Sequence, residues 1–291
     1  MASMRDIKRR KGSIQSTQQI TKAMKLVSTV KLQKAKRKAE ESKPYFNAMY
    51  RTVCSILEHS ENIRHPYLNG AESGAAAKKA VIVITSNRGL AGGYNSGVTK
   101  LITQGAFSRD EIVAYTVGKK GRDALERGGW QIQWDASAVM EEPSYADALH
   151  ISREVLEAYR KGEIGEIYLA YTVFRNTVTH IPCLRKLLPV DVNEMQQDSD
   201  EEDASGLLMN FEMEEAEALE LLVPKYITGM IYSGLLEGAA SENGARMQAM
   251  DSATGNAEEM IEELSLLYNR ARQGSITQEL TEIIAGASAI D

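Results

Sequence analysis

The chain has 291 residues, 43% of them hydrophobic and 25% charged, with a net charge of −6, an ordinary globular composition with room for about two domains. Its apolar runs fall well short of the roughly 18 residues that cross a bilayer, which argues against membrane-spanning helices. The two cysteines, Cys54 and Cys183, and four scattered histidines give neither a disulfide framework nor a metal-ligand spacing, so no metal or cofactor is expected.

Residues 1–43 carry thirteen Lys or Arg against Asp6, Glu40 and Glu41, a local charge of +10. Over 4–42 there is no Pro, the one Gly is Gly12, and good helix formers predominate, so a long helix is expected up to Pro44, resuming to about Leu57. Ile7, Ile14, Thr21, Ser28 and Ala35 form a heptad line that turns small and polar, a thin seam that lets a second helix come close. Between residues 20 and 32, Ala23, Met24, Leu26, Val27 and Val30 spread over more than half the helix circumference, where a surface helix has one apolar stripe. That segment is expected to be enclosed from several sides.

Past residue 60 the pattern changes. AVIVITS (80–86), EIVAYTV (111–117), EIYLAYTVF (166–174) and THIPCLRKLLPV (179–190) have the β-branched, aromatic-rich character of strands. Helical stretches lie between them at 121–128 and 145–162. This alternation predicts an α/β domain with a largely parallel sheet, and the last two strands, separated by a short polar turn, predict an antiparallel hairpin at an edge. The stretch SNRGLAGGYNSG (86–97) places Gly89, Gly92, Gly93 and Gly97 after a strand, where α/β folds often cradle phosphates. It fits neither the P-loop nor the dinucleotide-binding spacing. The competing role is structural: glycines for left-handed backbone and close strand–helix packing, with Arg88 pairing locally.

Residues 187–224 contain no Lys or Arg and many acids, and 193–206 is expected to be a mobile acidic loop. Over 226–285 there is no Pro, and Met250, Ala253, Ala257, Met260, Leu264, Leu267, Ala271 and Gly274 recur at coiled-coil spacing. Past Gly274 the register shifts to Ile276, Leu280, Ile283 and Ala287, which suggests a different neighbour for the last turns. Sixty helical residues would reach about 90 Å, so such a helix must project from a compact domain. Both long helices join one inserted domain and must therefore pair antiparallel. No spacing suggests a catalytic constellation. His180 is expected to be a packing or hydrogen-bonding residue rather than a base, and Cys54 a small buried hydrophobe. The basic helix lacks interleaved aromatics and the chain's pI is about 5.5, so nucleic acid is not expected as a partner.

Three stretches carry a resemblance that covers essentially the whole chain: MRDIKRRKGSIQSTQQITKAMKLVSTVKLQKA at the start, SNRGLAGGYN in the middle, and SENGARMQAMDSATGNAEEMIEELSLLYNRARQGSITQELTEIIAGASAI at the end. They resemble the gamma subunits of bacterial F-type ATP synthases. The resemblance implies an α/β fold with a long antiparallel coiled coil of N- and C-terminal helices (1–60 and 208–291) and an inserted Rossmann-like α/β domain (61–207). It implies a non-catalytic central-stalk rotor. Such a rotor turns inside the alpha/beta hexamer and couples ion flow through the membrane c-ring to ATP synthesis at the beta subunits. Implied partners are the alpha and beta subunits, epsilon and the c-ring. The implied location is peripheral, without membrane insertion, on the cytoplasmic side of a bacterial plasma membrane.

Residue by residue, Met24 and Lys25 resemble shaft positions facing an acidic beta-subunit loop, with Lys22 and Lys31 on the same basic face. Arg246, Arg272, Gln273 and Thr277 resemble a polar catch for alpha and beta loops, and IIAGASAI resembles the tip turning in the hexamer's sleeve. Phe211 and Glu212 resemble the foot facing the c-ring, although Met209 stands where relatives carry an aromatic residue. SNRGLAGGYN lacks the Cys found there in relatives, and the acidic loop lacks the cysteines of chloroplast relatives, so redox switching is not implied. The alternative from the residues alone is a Gly-loop nucleotide-binding α/β enzyme with coiled-coil arms.

Overall fold

A computed structural model describes residues 3–59, 65–69, 78–105, 107–190 and 215–288. The expected acidic loop at 193–206 lies outside them. Helix α1 (Met4–His59) and the short α2 (Pro66–Asn69) lead into β1 (Lys78–Ile84), α3 (Tyr94–Thr103), β2 (Ile112–Val117), α4 (Lys119–Arg127) and β3 (Ile132–Asp135). A 3-10 turn (Ser137–Glu141), α5 (Tyr145–Arg160), β4 (Ile164–Phe174), β5 (His180–Leu188) and α6 (Glu215–Ser288) complete the order. The chain divides into two compact units, Val30–Ala245 and the paired termini Met1–Thr29 with Arg246–Asp291.

In Val30–Ala245 the strands form one sheet in the order β3-β2-β1-β4-β5. The first three pairings, β2 with β3, β1 with β2 and β1 with β4, are parallel, and β4 with β5 is antiparallel. The expected edge hairpin is present, with Phe174 opposite His180 beside its turn. The sheet has two covered faces because side chains alternate along a strand. Val81 and Val83 of β1 pack with Val98 and Ile102 of α3 and Leu125 of α4. Ala80, Ile82 and Ile84 pack on the other face with Val53 and Ile56 of α1, Ile151 and Val155 of α5, and Ile227 and Ile231 of α6. α5 starts on a reciprocal cap, in which the Ser144 hydroxyl accepts from the Asp147 N–H and the Asp147 carboxylate accepts from the Ser144 N–H.

The break expected at Pro44 does not occur, and Pro224 likewise lies inside α6. Proline removes one helical N–H and crowds the preceding turn. Pro44 is exposed, so water can serve the carbonyl left unpaired, while Val53 and Ile56 beyond it hold the helix to the core.

The second unit is a helix pair. Gln18 Nε2 donates to Glu258 Oε1 at 3.0 Å, the Thr21 and Thr254 hydroxyls lie 2.8 Å apart, and Lys25 Nζ donates to Asp251 Oδ1 at 2.6 Å. Partners rise along α1 as they fall along α6, so the pairing is antiparallel. Of the predicted thin seam on α1, Ile7, Thr21 and Ser28 are buried and Ile14 is half-buried, while Ala35, also buried, belongs to the other unit. On α6 the seam differs from the hydrophobic count. Met250, Thr254 and Ala257 are buried, Ala253 is only half-buried, and Met260, Leu267 and Gly274 are exposed. A polar residue, Thr254, takes the inward position because its hydroxyl has a partner across the pair.

Candidate functional site

The helix pair presents the residues of interest on three surfaces. The first is the pairing seam itself. Lys25, expected to face a partner's acidic loop, is held by Asp251 within the chain, whereas Lys22 and Lys31 are exposed. Met24 is half-buried beside it. The second surface is the back of α1. At about 100° per residue, Ala23, Leu26 and Val30 fall on the side opposite Thr21 and Ser28, with Ile20 and Val27 on the flank. Ile20, Val27 and Val30 are each more than half exposed, as is Leu26 beside them. The apolar circumference expected from the sequence is therefore real, and the chain covers only one side of it.

The third surface is the far end of α6. Extending the register of the three cross-helix contacts, Met4 at the start of α1 stands level with Arg272. Ile276, Leu280, Ile283 and Ile284 lie beyond that level and are exposed. Arg272, Gln273 and Thr277 are exposed as well. The Thr277 hydroxyl donates to the Gln273 carbonyl one turn back at 2.9 Å, which leaves the Arg272 and Gln273 side chains on the surface. Arg246 is different in kind, because it is buried. It stands twenty-six positions before Arg272 on the same helix, about 39 Å along the axis, so the two do not form one cluster. Phe211, Glu212 and Met209 lie outside the described residues, as do the last residues of IIAGASAI. The sequence reading missed Asp251, Thr254 and Glu258 as cross-helix partners. Each follows from the others once one contact sets the register, but the sequence offers no first contact.

The Gly-rich loop has a structural explanation. Asn95 Oδ1 accepts from the Ser86 N–H at 2.9 Å, the Ser86 hydroxyl donates to the Arg88 carbonyl at 2.6 Å, and Asn87 Nδ2 donates to the Ser137 carbonyl at 2.6 Å. Arg88 reaches Glu141 at 4.0 Å. Gly92 has a left-handed φ of 53°, and a Cβ on Gly97 would stand 2.7 Å from Pro182 Cγ of β5. Doubly wound sheets bind ligands beyond the carboxyl ends of the strands where the order reverses, here between β1 and β4. At that end of the strands, α6 packs closely on one face of the sheet. Cβ atoms on Gly234 and Gly238 would come within 3.2 and 2.9 Å of Ile84, the last residue of β1.

His180 is a packing residue, as expected, tilted against Phe174 with ring centroids 5.8 Å apart and facing Gly244. Burial holds its pKa below the ordinary histidine value. Among the described residues no group of three or more His, Cys, Asp or Glu could hold a metal ion. No described helix is long and apolar enough to cross a membrane.

Comparison with known proteins agrees with this geometry. A family model described as ATP synthase matches residues 3–290. The chain is 62% identical to the ATP synthase gamma chain of Lachnoclostridium phytofermentans over the full length of both. It is 42% identical to that of Alkaliphilus metalliredigens, covering 99% of this chain and 98% of the relative. It is 39% identical to the gamma chain of Acetobacterium woodii described as sodium ion specific, covering 99% of each. Among solved structures, a chain of the Euglena gracilis mitochondrial ATP synthase, in an assembly of OSCP, F1 and c-ring, shares the fold with a TM-score of 0.65 at 18% identity, covering 99% of this chain and 94% of that one. A chain of the Tetrahymena thermophila central stalk and c-ring matches with a TM-score of 0.57 at 20% identity, covering 80% and 99%. With its paired terminal helices and relatives of this identity over their whole length, the chain belongs to the gamma chains of F-type ATP synthase, the subunits of the central stalk.

Proposed function

We propose that this chain is the rotating shaft of its complex and contains no catalytic residue of its own. Its helix pair stands inside the alpha/beta hexamer, and its foot, including Phe211 and Glu212, meets epsilon and the c-ring. The complex sits on a bacterial plasma membrane with this subunit peripheral on the cytoplasmic side, and ion flow through the c-ring turns the shaft to drive ATP synthesis at the beta subunits. By role, 1–60 and 208–291 are the shaft and 61–207 the inserted domain. The observation that carries the reading is the back of α1: Leu26 and Val30 are apolar and exposed opposite an already paired seam, with Ile20 and Val27 exposed on its flank, a surface that an enclosing partner would cover.

The shaft acts by differential contact. A helix pair whose sides are unlike touches beta subunits in different conformations differently, and only such a difference shifts their equilibrium. Met24, Lys25, Arg246, Arg272, Gln273 and Thr277 are the contacts we assign to the hexamer, with Arg272 and Gln273 the exposed pair open to a direct test. Coupling between sites is typically worth roughly 1–3 kcal/mol. Arg272→Ala with Gln273→Ala is therefore expected to lower ATP synthesis by the assembled complex by about five- to hundredfold, with the thermal unfolding of the α/β unit unchanged. Unaltered coupled synthesis would remove this assignment.

A further inference from the structure

Within the helix pair, Thr21 and Thr254 are buried at 8% and 9% exposure, and their hydroxyl oxygens lie 2.8 Å apart. Thr21 Oγ1 is also 3.0 Å from the Gln18 carbonyl, and Thr254 Oγ1 is 2.8 Å from the Met250 carbonyl. Three contacts therefore compete for two hydroxyl protons. Either Thr21 donates across to Thr254 while Thr254 donates to Met250, or the direction reverses and Thr21 donates to Gln18. In both arrangements one proton bridges the helices and neither buried oxygen is left without a partner.

An ordinary helix pair sets its longitudinal register by large apolar knobs entering holes. Around this layer such knobs are scarce, since the buried neighbours are Ser28, Ala257 and Met250. The flanking rungs, Gln18 to Glu258 and Lys25 to Asp251, are exposed, and exposed polar pairs contribute little. A slide of α6 by one turn would bring Met250 or Ala257 opposite Thr21 and remove the acceptor across the pair. Each threonine would then fall back on its own helix, and the bridging bond would be lost. We infer that Thr21 and Thr254 are positioning residues that key the register of α1 against α6, so that the pair does not creep lengthwise. The layer is internal to the chain, so its test stands or falls separately from the partners proposed above.

The test uses the full-length chain with a photoreactive benzophenone side chain in place of Gln18 and peptide mapping of the residue captured on α6. With both threonines present, capture is expected within one turn of Glu258. Thr21→Val with Thr254→Val keeps the volume and removes both hydroxyls. It is expected to raise the ratio of product one turn out of register to product in register by about fivefold, the factor for roughly 1 kcal/mol of lost net hydrogen bonding. Thr21→Ser with Thr254→Ser keeps the hydroxyls and is expected to retain the original pattern. Loss of cross-helix capture in the valine pair but not in the serine pair assigns the pairing itself to the hydroxyls and supports the inference. An unchanged pattern in the valine pair overturns it, as does a serine pair that behaves like the valine pair or an original pattern already spread over several turns.

Discussion

Glu237 of α6 places a carboxylate where charge is costly. It is partly buried against the edge hairpin, accepting from the Phe174 N–H at 3.2 Å and the Ser233 hydroxyl at 3.3 Å. Burial raises its pKa above the ordinary glutamate value, and these hydrogen bonds, with the pull of Arg185 and Arg175, offset that only in part. The folded state therefore binds this proton more tightly than the unfolded chain does. Above the raised folded value the ionised group is a constant cost, and the cost disappears as pH falls toward the ordinary glutamate value. Glu237→Gln keeps an acceptor for the Phe174 N–H and cannot ionise. Its melting temperature is expected to exceed that of the parent at pH 8, with the gap closing as the pH is lowered; a gap of opposite sign, or one independent of pH, would contradict this account. None of this was legible in the sequence, where Glu237 is one acid among many and its burial depends on β4 and β5 folding against a helix more than fifty residues away. Met24, Arg272 and Gln273 were singled out by motif spelling, whereas Asp251 and Thr254 were not, because their cross-helix contacts need a partner more than two hundred positions distant.

Among the elements, those with a long periodic signal were legible, and those that depend on their neighbours were not. β3 has four residues in which only Ile132 and Trp134 face inward, too short a run to register as a strand, and it forms because β2 offers a parallel edge. α3 contains Gly97, Val98, Thr99 and Ile102, poor helix formers, yet burying Val98 and Ile102 against β1 outweighs that preference. The glycines of α6 divide by the same logic. A Cβ on Gly238 would stand 2.9 Å from Ile84 Cγ2 and 3.3 Å from the Tyr94 hydroxyl, whereas one on Gly255 would meet nothing within 4 Å. Replacing a helical glycine by alanine favours the helix by roughly 0.5–1 kcal/mol, and overpacking a filled core costs about 1–3 kcal/mol. Gly255→Ala is expected to stabilise the chain, and Gly238→Ala to destabilise it by about 1–2 kcal/mol, as read by denaturant unfolding. Equal effects of the two substitutions would show that α6 does not pack closely on the end of β1.

The two units of the molecule bury very different amounts of apolar surface. The sheet unit encloses long β-branched strands on both faces, with Ile82, Ile84, Ile151, Ile167 and Leu169 fully inside. Among the described residues the helix pair buries a narrow seam of Ile7, Thr21, Ser28, Met250, Thr254 and Ala257, with Arg246 at its edge. Stabilisation by apolar burial scales with area at about 25 cal/mol per Å², so the pair has much the smaller reserve, and exposed rungs such as Lys25 to Asp251 add little to it. Segments with few buried apolar contacts open at lower free energy than the core. In the free chain, backbone amides of residues 3–29 and 246–288 are therefore expected to exchange with solvent far faster than those of β1, β2 and β4. Hydrogen exchange followed by mass spectrometry measures this directly, and equal protection in the two units would mean that the seam holds more energy than its side chains account for. If the exposed back of α1 is covered in the assembled complex, protection over residues 20–30 should rise on assembly, because covering Ile20, Leu26, Val27 and Val30 supplies the burial that the seam lacks. An α1 that exchanges as fast in the complex as in the free chain would leave that apolar face without an occupant and remove the observation on which the shaft reading rests.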